Sequence, residues 1–458
     1  MLEIRISRWA DLDDAGKDRV LSRPKLKNAE ELPEQVSGII KAVRNTGDKA
    51  LKFYSQKFDN IDNNPLELSL VQQQLLLGKL SDERRAAIEL AYSNIRKFHA
   101  AQKPQDLVVE TTPGVVCELK YAALDAVGLY IPGGSAPLPS TVLMLGVPAQ
   151  LAGCRRVVLV TPPGAPLASG IAPEIVYAAQ LCGIREMYTL GGAQAIAALA
   201  YGTATITKVD KIFGPGNRFV TEAKQQVARD AQGAAIDMPA GPSEVLVIAD
   251  ETADPAFVAA DLLSQAEHGM DSQVVLLSPS EKLLKDTMAK LEDQLMALPR
   301  AIIAKKALDH SRFILVADLA EAALVSNQYA PEHLIIQTAQ DDKLLPQLKN
   351  AASIFVGPWT PESAGDYASG TNHVLPTYGY SRNHSSLSLL DFYRRYTVQT
   401  LTSKGLQAIG PAIVTLASAE SLNAHANAVT LRLKSLSKKL QQQDEFIPIP
   451  PENKYETK

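Results

Sequence analysis

Two blocks of this chain alternate short apolar, β-prone runs with helical runs, and no other feature narrows the possible folds so far. In the first block, β-type runs at residues 156–160, 186–190 and 209–213 are interleaved with helical runs at 173–181, 193–201 and 217–229. The second block spans 243–356, with candidate strands at 245–248, 273–277, 313–316, 334–337 and 354–356. Alternation at this spacing is what right-handed β-α-β units on a parallel sheet produce. The sequence therefore predicts an α/β protein with two parallel-sheet blocks in tandem. Helical runs at 31–58 and 81–101 precede the blocks, with Ser81 placed to cap the second. Further helical runs follow at 405–416 and 420–440, and the polar, proline-bearing stretch 441–458 reads as a frayed tail.

Composition removes several classes of function. The 458 residues suggest roughly three structural units, at about 150 residues each. Lys and Arg number 46 against 50 Asp and Glu, a net charge of −4 that argues against a dominant nucleic-acid or anionic-membrane surface. Cys117, Cys154 and Cys182 are too few for a disulfide framework or a four-thiolate zinc site. The longest apolar stretch, 141–152, contains Pro148 and Gln150 and is too short to span a bilayer. The amino terminus reaches Asp11 and Asp13 without an apolar core, so no secretory signal is visible. A soluble, cytoplasmic protein is expected, with no nucleic-acid or membrane partner.

Ligands of parallel α/β sheets bind beyond the carboxyl ends of the strands. That rule selects the glycine-bearing segments 191–194, 214–217 and 239–243, whose backbone N–H groups can approach an anion closely, although tight turns alone also use such glycines. No G-x-G-x-x-G fingerprint occurs. Residues 254–269 form a marked helix, with Asp254 as cap, Pro255 at the first position and Gly269 as stop. Gln265 and His268, three apart near its end, can face one metal, although the helix dipole alone also favours a histidine there. Glu332 and His333 adjoin at a helix-to-strand junction, a natural source of general base and proton shuttle, though such pairs also arise by chance. Asp366 falls in a predicted loop, as a carboxylate ligand or a turn residue. Glu420 and His425 are five apart in a helical run, about 140° around a straight helix, so they point different ways. His373 lies close to Asp366 in sequence and has no assigned role, while His99, His310 and His384 have no partner pattern.

Together these segments resemble the histidinol dehydrogenase family. The resemblance is carried by 127–134 (VGLYIPGG), 191–196 (GGAQAI), 211–217 (KIFGPGN), 261–269 (DLLSQAEHG), 331–334 (PEHL) and 363–376, in the family's order across about 31–440. Two departures, a longer stretch at 163–172 and the tail 441–458, remove no motif residue. The resemblance implies two tandem Rossmann-like parallel-sheet domains with helical N- and C-terminal arms, the C-terminal arm exchanged in a homodimer. Its domains are an arm at 1–25, a metal and catalytic domain at 26–131 plus 244–387, an NAD-contacting domain at 132–243, a dimerisation segment at 388–440, and the tail.

It also implies a zinc- and NAD-dependent oxidation of L-histidinol via L-histidinal to L-histidine, the last steps of histidine biosynthesis, with two hydride transfers. One zinc per subunit falls on Gln265, His268, Asp366 and His425, a set that needs no cysteine. His333 would accept the substrate's hydroxyl proton, and Glu332 would activate the water that hydrates the aldehyde. Ser243 and Glu420 match substrate contacts, alongside Gln265, His268, His333, Asp366 and His425. Tyr130, Gln194 and Asn217 match the NAD contacts. Glu420 and His425 would complete the partner subunit's pocket. Two other readings compete. A zinc hydrolase with Glu332 as base on a metal-bound water leaves Tyr130, Gln194 and Asn217 without a purpose. A non-catalytic binding protein would have lost ligands and bases that are all present here.

Overall fold

The computed structural model describes residues 4–24, 30–59, 66–133, 136–164, 170–239 and 241–444, with side chains to Lys438. Gly134, Ala240, residues 165–169 of the long 163–172 stretch and the tail from 445 lie outside the described residues. The chain divides into two units, Met1–Lys103 with Ala123–Tyr393, and Pro104–Ala122 with Arg394–Lys458.

The first unit holds two parallel sheets. One is six-stranded, in the order Ile6–Arg8, Arg312–Leu315, Gln273–Ser278, Glu244–Ala249, His333–Gln337 and Ser353–Val356. The other is five-stranded, in the order Glu186–Thr189, Arg156–Thr161, Ala126–Tyr130, Lys211–Phe213 and Ala235–Ile236. Glu244–Ala249 and Gln273–Ser278 are buried along their whole lengths. Helices cover both faces of such strands, which is why the sequence shows near-continuous apolar runs there instead of alternation. Both sheets are wound alike. In each, a central strand (Ala126–Tyr130 or Glu244–Ala249) is followed by two strands on one side and then two on the other, and Ile6–Arg8 adds an outer edge to the six-stranded sheet.

Three expectations are corrected here. The strand Ala126–Tyr130, which the family resemblance groups with the metal and catalytic domain, is the centre of the five-stranded sheet. The early helices go with it: Val36, Ile39, Ile40 and Val43 of Leu32–Thr46 share a core with Ala195, Ile196 and Leu199, and Ile88, Ala91 and Ile95 of Asp82–Ala100 share one with Leu143 and Val147. The predicted helix over 31–58 breaks at Gly47, whose φ of +54° ends Leu32–Thr46 before Asp48–Asp59 begins. The N-terminal arm is only partly helical, because Ile6–Arg8 pairs with Phe313–Leu315 as an edge strand.

The second unit contains a three-stranded sheet that periodicity did not reveal. Leu107–Thr112 runs antiparallel to Val115–Ala123, and Tyr393–Leu401 flanks the latter. The turn between the first two uses Gly114 at φ +83°. Two helices follow, Ser403–Ala419 and Asn423–Asp444. The expected single run from 420 is thus interrupted: Glu420 ends the first helix, Ser421 takes φ +60°, and His425 lies in the first turn of the second. That second helix continues to Asp444, past the expected start of fraying. No helix among the described residues is long and apolar enough to cross a membrane. All three cysteines are free thiols.

One buried ion pair fixes the loop after Lys211–Phe213. Lys224 and Asp237 have side chains 5% and 1% exposed. Lys224 donates to the Gly214 carbonyl (2.7 Å) and to Asp237, and Asp237 accepts the Gly214 N–H (2.7 Å). Removing one partner of a buried pair strands the other charge out of water. Lys224→Met should therefore lower the unfolding free energy by about 3–5 kcal/mol, and the Lys224→Met/Asp237→Asn double variant by less. Urea unfolding checks this; a single-variant loss below about 1 kcal/mol would contradict the pair's role.

Candidate active site

Crossover helices run antiparallel to the strands they follow, so their last turns return to the amino ends of the strands. In the six-stranded sheet that edge gathers the ionisable groups. Pro255–Ala266 begins with Asp254 accepting the Ala256 N–H at 2.8 Å, as expected, but it ends at Ala266 and not at Gly269. His268 therefore sits in the turn beyond the helix, with its Nδ1 2.9 Å from the Ser264 carbonyl. Gln265 is 0% exposed, and neither polar atom of its amide has a partner. Buried amides are ordinarily satisfied, so this one points to a bound group.

Glu332 and His333 enter the same edge from the next crossover. Leu319–Tyr329 ends at Ala330, with φ +57°, and Pro331 leads into the strand His333–Gln337. One residue of the neighbouring strand pins both side chains. The Glu244 N–H donates to Glu332 Oε2 (2.9 Å), and His333 Nδ1 donates to the Glu244 carbonyl (3.2 Å). That bond fixes the tautomer and leaves Nε2 buried without a hydrogen-bond partner, 3.7 Å from Asp366 Oδ1. Ser243, half-buried, directly precedes Glu244.

Asp366 lies not in a loop but in the short helix Glu362–Tyr367. His373 holds its backbone, with Nδ1 2.8 Å from the Asp366 carbonyl and Nε2 3.2 Å from Thr141 Oγ1 on the helix Pro139–Ala152 of the other sheet. Sequence reasoning missed Glu362. It is 0% exposed, neither carboxylate oxygen has a partner, and Oε1 is 3.8 Å from His333 Nδ1. Its only sequence signal is an acidic residue just after Pro361, which many helix starts share. Glu362, Asp366 and His333 bring one ligand atom each within 4.8 Å of one another.

Burial and mutual repulsion set the protonation of this cluster. Burial pushes the Glu332 carboxyl up to about 8, and lifts Glu362 well above the carboxylate range. Burial alone would lower His333, but Glu362, Glu332 and Asp366 outweigh it and raise the imidazole to about 10. Asp366, although burial opposes its charge, is held down by His333, His373 and His268. Behind the cluster, burial raises Asp261 to about 7 against the Gln337 amide, which donates to its Oδ2 at 2.9 Å.

In the five-stranded sheet the glycine-bearing loops after Glu186–Thr189 and Lys211–Phe213 lie at carboxyl ends of strands, where the strand-end rule looks for a ligand. Tyr130 ends Ala126–Tyr130 and is buried; its hydroxyl accepts the Gly192 N–H at 3.2 Å, at the start of Gly192–Tyr201. Gln194, in the first turn of that helix, is 1% exposed with Oε1 unpaired. Asn217 caps Arg218–Arg229, accepting the Phe219 and Val220 N–H groups. Gly214, at φ +118°, has no room for a side chain: a Cβ would lie 2.1 Å from the Tyr130 carbonyl. The first unit thus brings together Glu332, His333, Asp366 and His268, with Gln265 and Ser243 on the same edge. Glu420 and His425 are exposed residues of the second unit.

Residues 21–433 match the family model described as histidinol dehydrogenase. The chain is 57% identical over 430 residues to the histidinol dehydrogenase of Vibrio cholerae, covering 94% of this chain and 98% of that one. It is 58% identical to that of Colwellia psychrerythraea, with coverage of 94% and 99%. A crystal structure of histidinol dehydrogenase from Elizabethkingia anophelis superposes with a TM-score of 0.90 at 49% identity, covering 95% of this chain and 99% of that one.

The protonation pattern has a sign that stability measurements can read. His333, raised from 6.5 to about 10, stabilises the metal-free fold fully below pH 6.5 and loses that contribution as pH rises to about 10. Glu332, raised from 4.5 to about 8, adds a penalty that grows between those values. The melting temperature of chelator-treated protein should therefore fall as pH rises from about 5 to 10. The Glu332→Gln/His333→Gln variant should show a flatter profile. A parent profile that is level or rising across that window would contradict the assignment.

Proposed function

The chain belongs to the histidinol dehydrogenase family of oxidoreductases, and from that premise we propose that it oxidises L-histidinol through L-histidinal to L-histidine, passing two hydrides in turn to NAD in the closing steps of histidine synthesis. The observation that carries the proposal is the buried Glu332–His333 pair. Both side chains hang on the main chain of Glu244, and a free imidazole nitrogen faces Asp366.

The orphaned Gln265 amide, the His268 ring and the Asp366 carboxylate offer the nitrogen and oxygen donors that zinc accepts. They would hold one zinc per subunit, with His425 of the partner subunit as fourth ligand. When bound, zinc supplies an electrophilic centre that anchors the substrate's amino and imidazole nitrogens. NAD, held at Tyr130, Gln194 and Asn217, supplies the hydride acceptor.

In the first oxidation His333 Nε2 takes the hydroxyl proton as hydride leaves the carbinol carbon. The carboxylates that lift His333 are offset once positive charge sits at Asp366, which returns the imidazole toward the range a base needs. In the second, Glu332 takes a proton from the water that adds to the aldehyde, and the hydrate then gives up its hydride to become the carboxylate. Ser243, together with Glu420 of the partner subunit, holds the substrate. The working unit is a homodimer that exchanges the 388–440 segments.

Two measurements test this reading. A limiting amount of L-histidinol should yield about two NADH each, lost on chelation and regained with zinc. One NADH would remove the role of Glu332, and none from zinc-loaded protein would favour the hydrolase. Metal analysis then separates the two possible ligand sets: His268→Ala should lose the zinc, whereas Glu362→Gln should keep it. The reverse would move the metal to the His333–Glu362–Asp366 group.

A further inference from the structure

We infer that Arg23, in the N-terminal segment, is a positioning residue for the acid–base pair, acting through Glu244; the inference rests on the proposed roles of Glu332 and His333. Arg23 follows the helix Asp14–Leu21 and reaches under the amino edge of the six-stranded sheet. Its guanidinium makes a bidentate pair with the Glu244 carboxylate, Nε to Oε2 at 2.6 Å and Nη2 to Oε1 at 2.8 Å. The two side chains are 14% and 2% exposed.

Arg23 also grips the segment that leads into the catalytic pair. Nη2 donates to the Tyr329 carbonyl (2.9 Å) and the Ala330 carbonyl (3.3 Å), just ahead of Pro331, Glu332 and His333. The guanidinium lies over the Tyr329 ring at 4.1 Å, and the Tyr329 hydroxyl donates to Glu244 Oε2 (3.2 Å) and Gln273 Oε1 (2.9 Å). The segment carrying Arg23 is itself tied down: Tyr378 donates to the Pro24 carbonyl at 2.6 Å, and the Gln273 amide to the Ser22 carbonyl at 3.2 Å.

The consequence follows from what Glu244 does with its main chain. Its N–H and carbonyl set the position of Glu332 and the tautomer of His333. One planar cation therefore holds both supports of the pair, the Glu244 strand end and the left-handed turn at Ala330. Only a guanidinium offers a carboxylate fork and further N–H donors to carbonyls in one rigid plane. Misplacing a catalytic base by about 1 Å can cost on the order of 100-fold in rate.

The test compares zinc-loaded full-length variants by single-turnover NADH formation from L-histidinol, with KM, zinc content and melting temperature measured alongside. Arg23→Met should slow the single-turnover rate about 10- to 100-fold, with KM within about threefold and zinc content unchanged. Arg23→Lys, which keeps the charge but not the fork, should recover less than half of the lost rate. The Arg23→Met/Glu244→Gln double variant removes the stranded buried carboxylate. It should regain melting temperature while its rate stays at least about tenfold down. If the rate returns with the melting temperature, or if Arg23→Met turns over at the parental rate, Arg23 is only structural and the inference falls. His333→Ala, run in parallel, keeps the two ideas apart. Near-parental activity there overturns the acid–base reading and this inference with it, whereas an inactive His333→Ala beside a fully active Arg23→Met overturns the inference alone.

Discussion

Three carboxylates and one imidazole, those of Glu332, Glu362, Asp366 and His333, share a pocket largely closed to water, and their summed charge decides what else can reside there. Fully ionised they would carry two uncompensated negative charges in a medium that solvates charge poorly. Burial and this crowding push Glu332 and Glu362 up from the usual carboxylate range and the three carboxylates lift His333, so each is biased toward its protonated form. A cation held there, as proposed, would offset the same excess charge and let those protons go. The unsatisfied amide of Gln265 at its border fits the same proposal, because a neutral oxygen donor would complete a coordination sphere without adding charge.

The parts of this architecture that follow local rules were legible in the sequence. Period and punctuation located Pro173–Leu181 to the residue, and Arg156–Thr161 and Gln273–Ser278 to within one. Ser81, Asp254 and Asn217 cap helices with side chains that the residue type alone suggests. What escaped was set by tertiary contact. Nothing near Ala126–Tyr130 in sequence says which sheet it will join, since that depends on packing against Leu145 and Leu159. Asp366 was placed in a loop because a six-residue helix has too few turns to show a period. Glu362 and Arg23 look like surface charges until the fold closes over them, and their partners lie 29 and 221 residues away.

The family resemblance supplied what spacing could not. Gln265 and His268 share one motif, whereas Asp366 lies about 100 residues on; a crossover helix returns the first two to the amino edge of the sheet, and the short helix Glu362–Tyr367 after the last strand brings Asp366 against His333. Glu420 and His425 raised a difficulty only while they were drawn on one straight helix. With Ser421 in a left-handed turn between two helices, their side chains are set by separate elements.

The two sheets are wound alike, but the candidate site residues gather at opposite ends of their strands, carboxyl ends in the five-stranded sheet and amino ends in the six-stranded one. The far edge of the six-stranded sheet, with its loops at 250–254, 279–280, 316–318, 338–340 and 357–361, carries none of Gln265, His268, Glu332, His333 or Asp366. Trp359, 84% exposed, stands on it. If the chemistry is where we propose, that rim is where an affinity handle, a fluorophore or a surface attachment can be grafted, at the other end of the same strands from the Glu332–His333 pair.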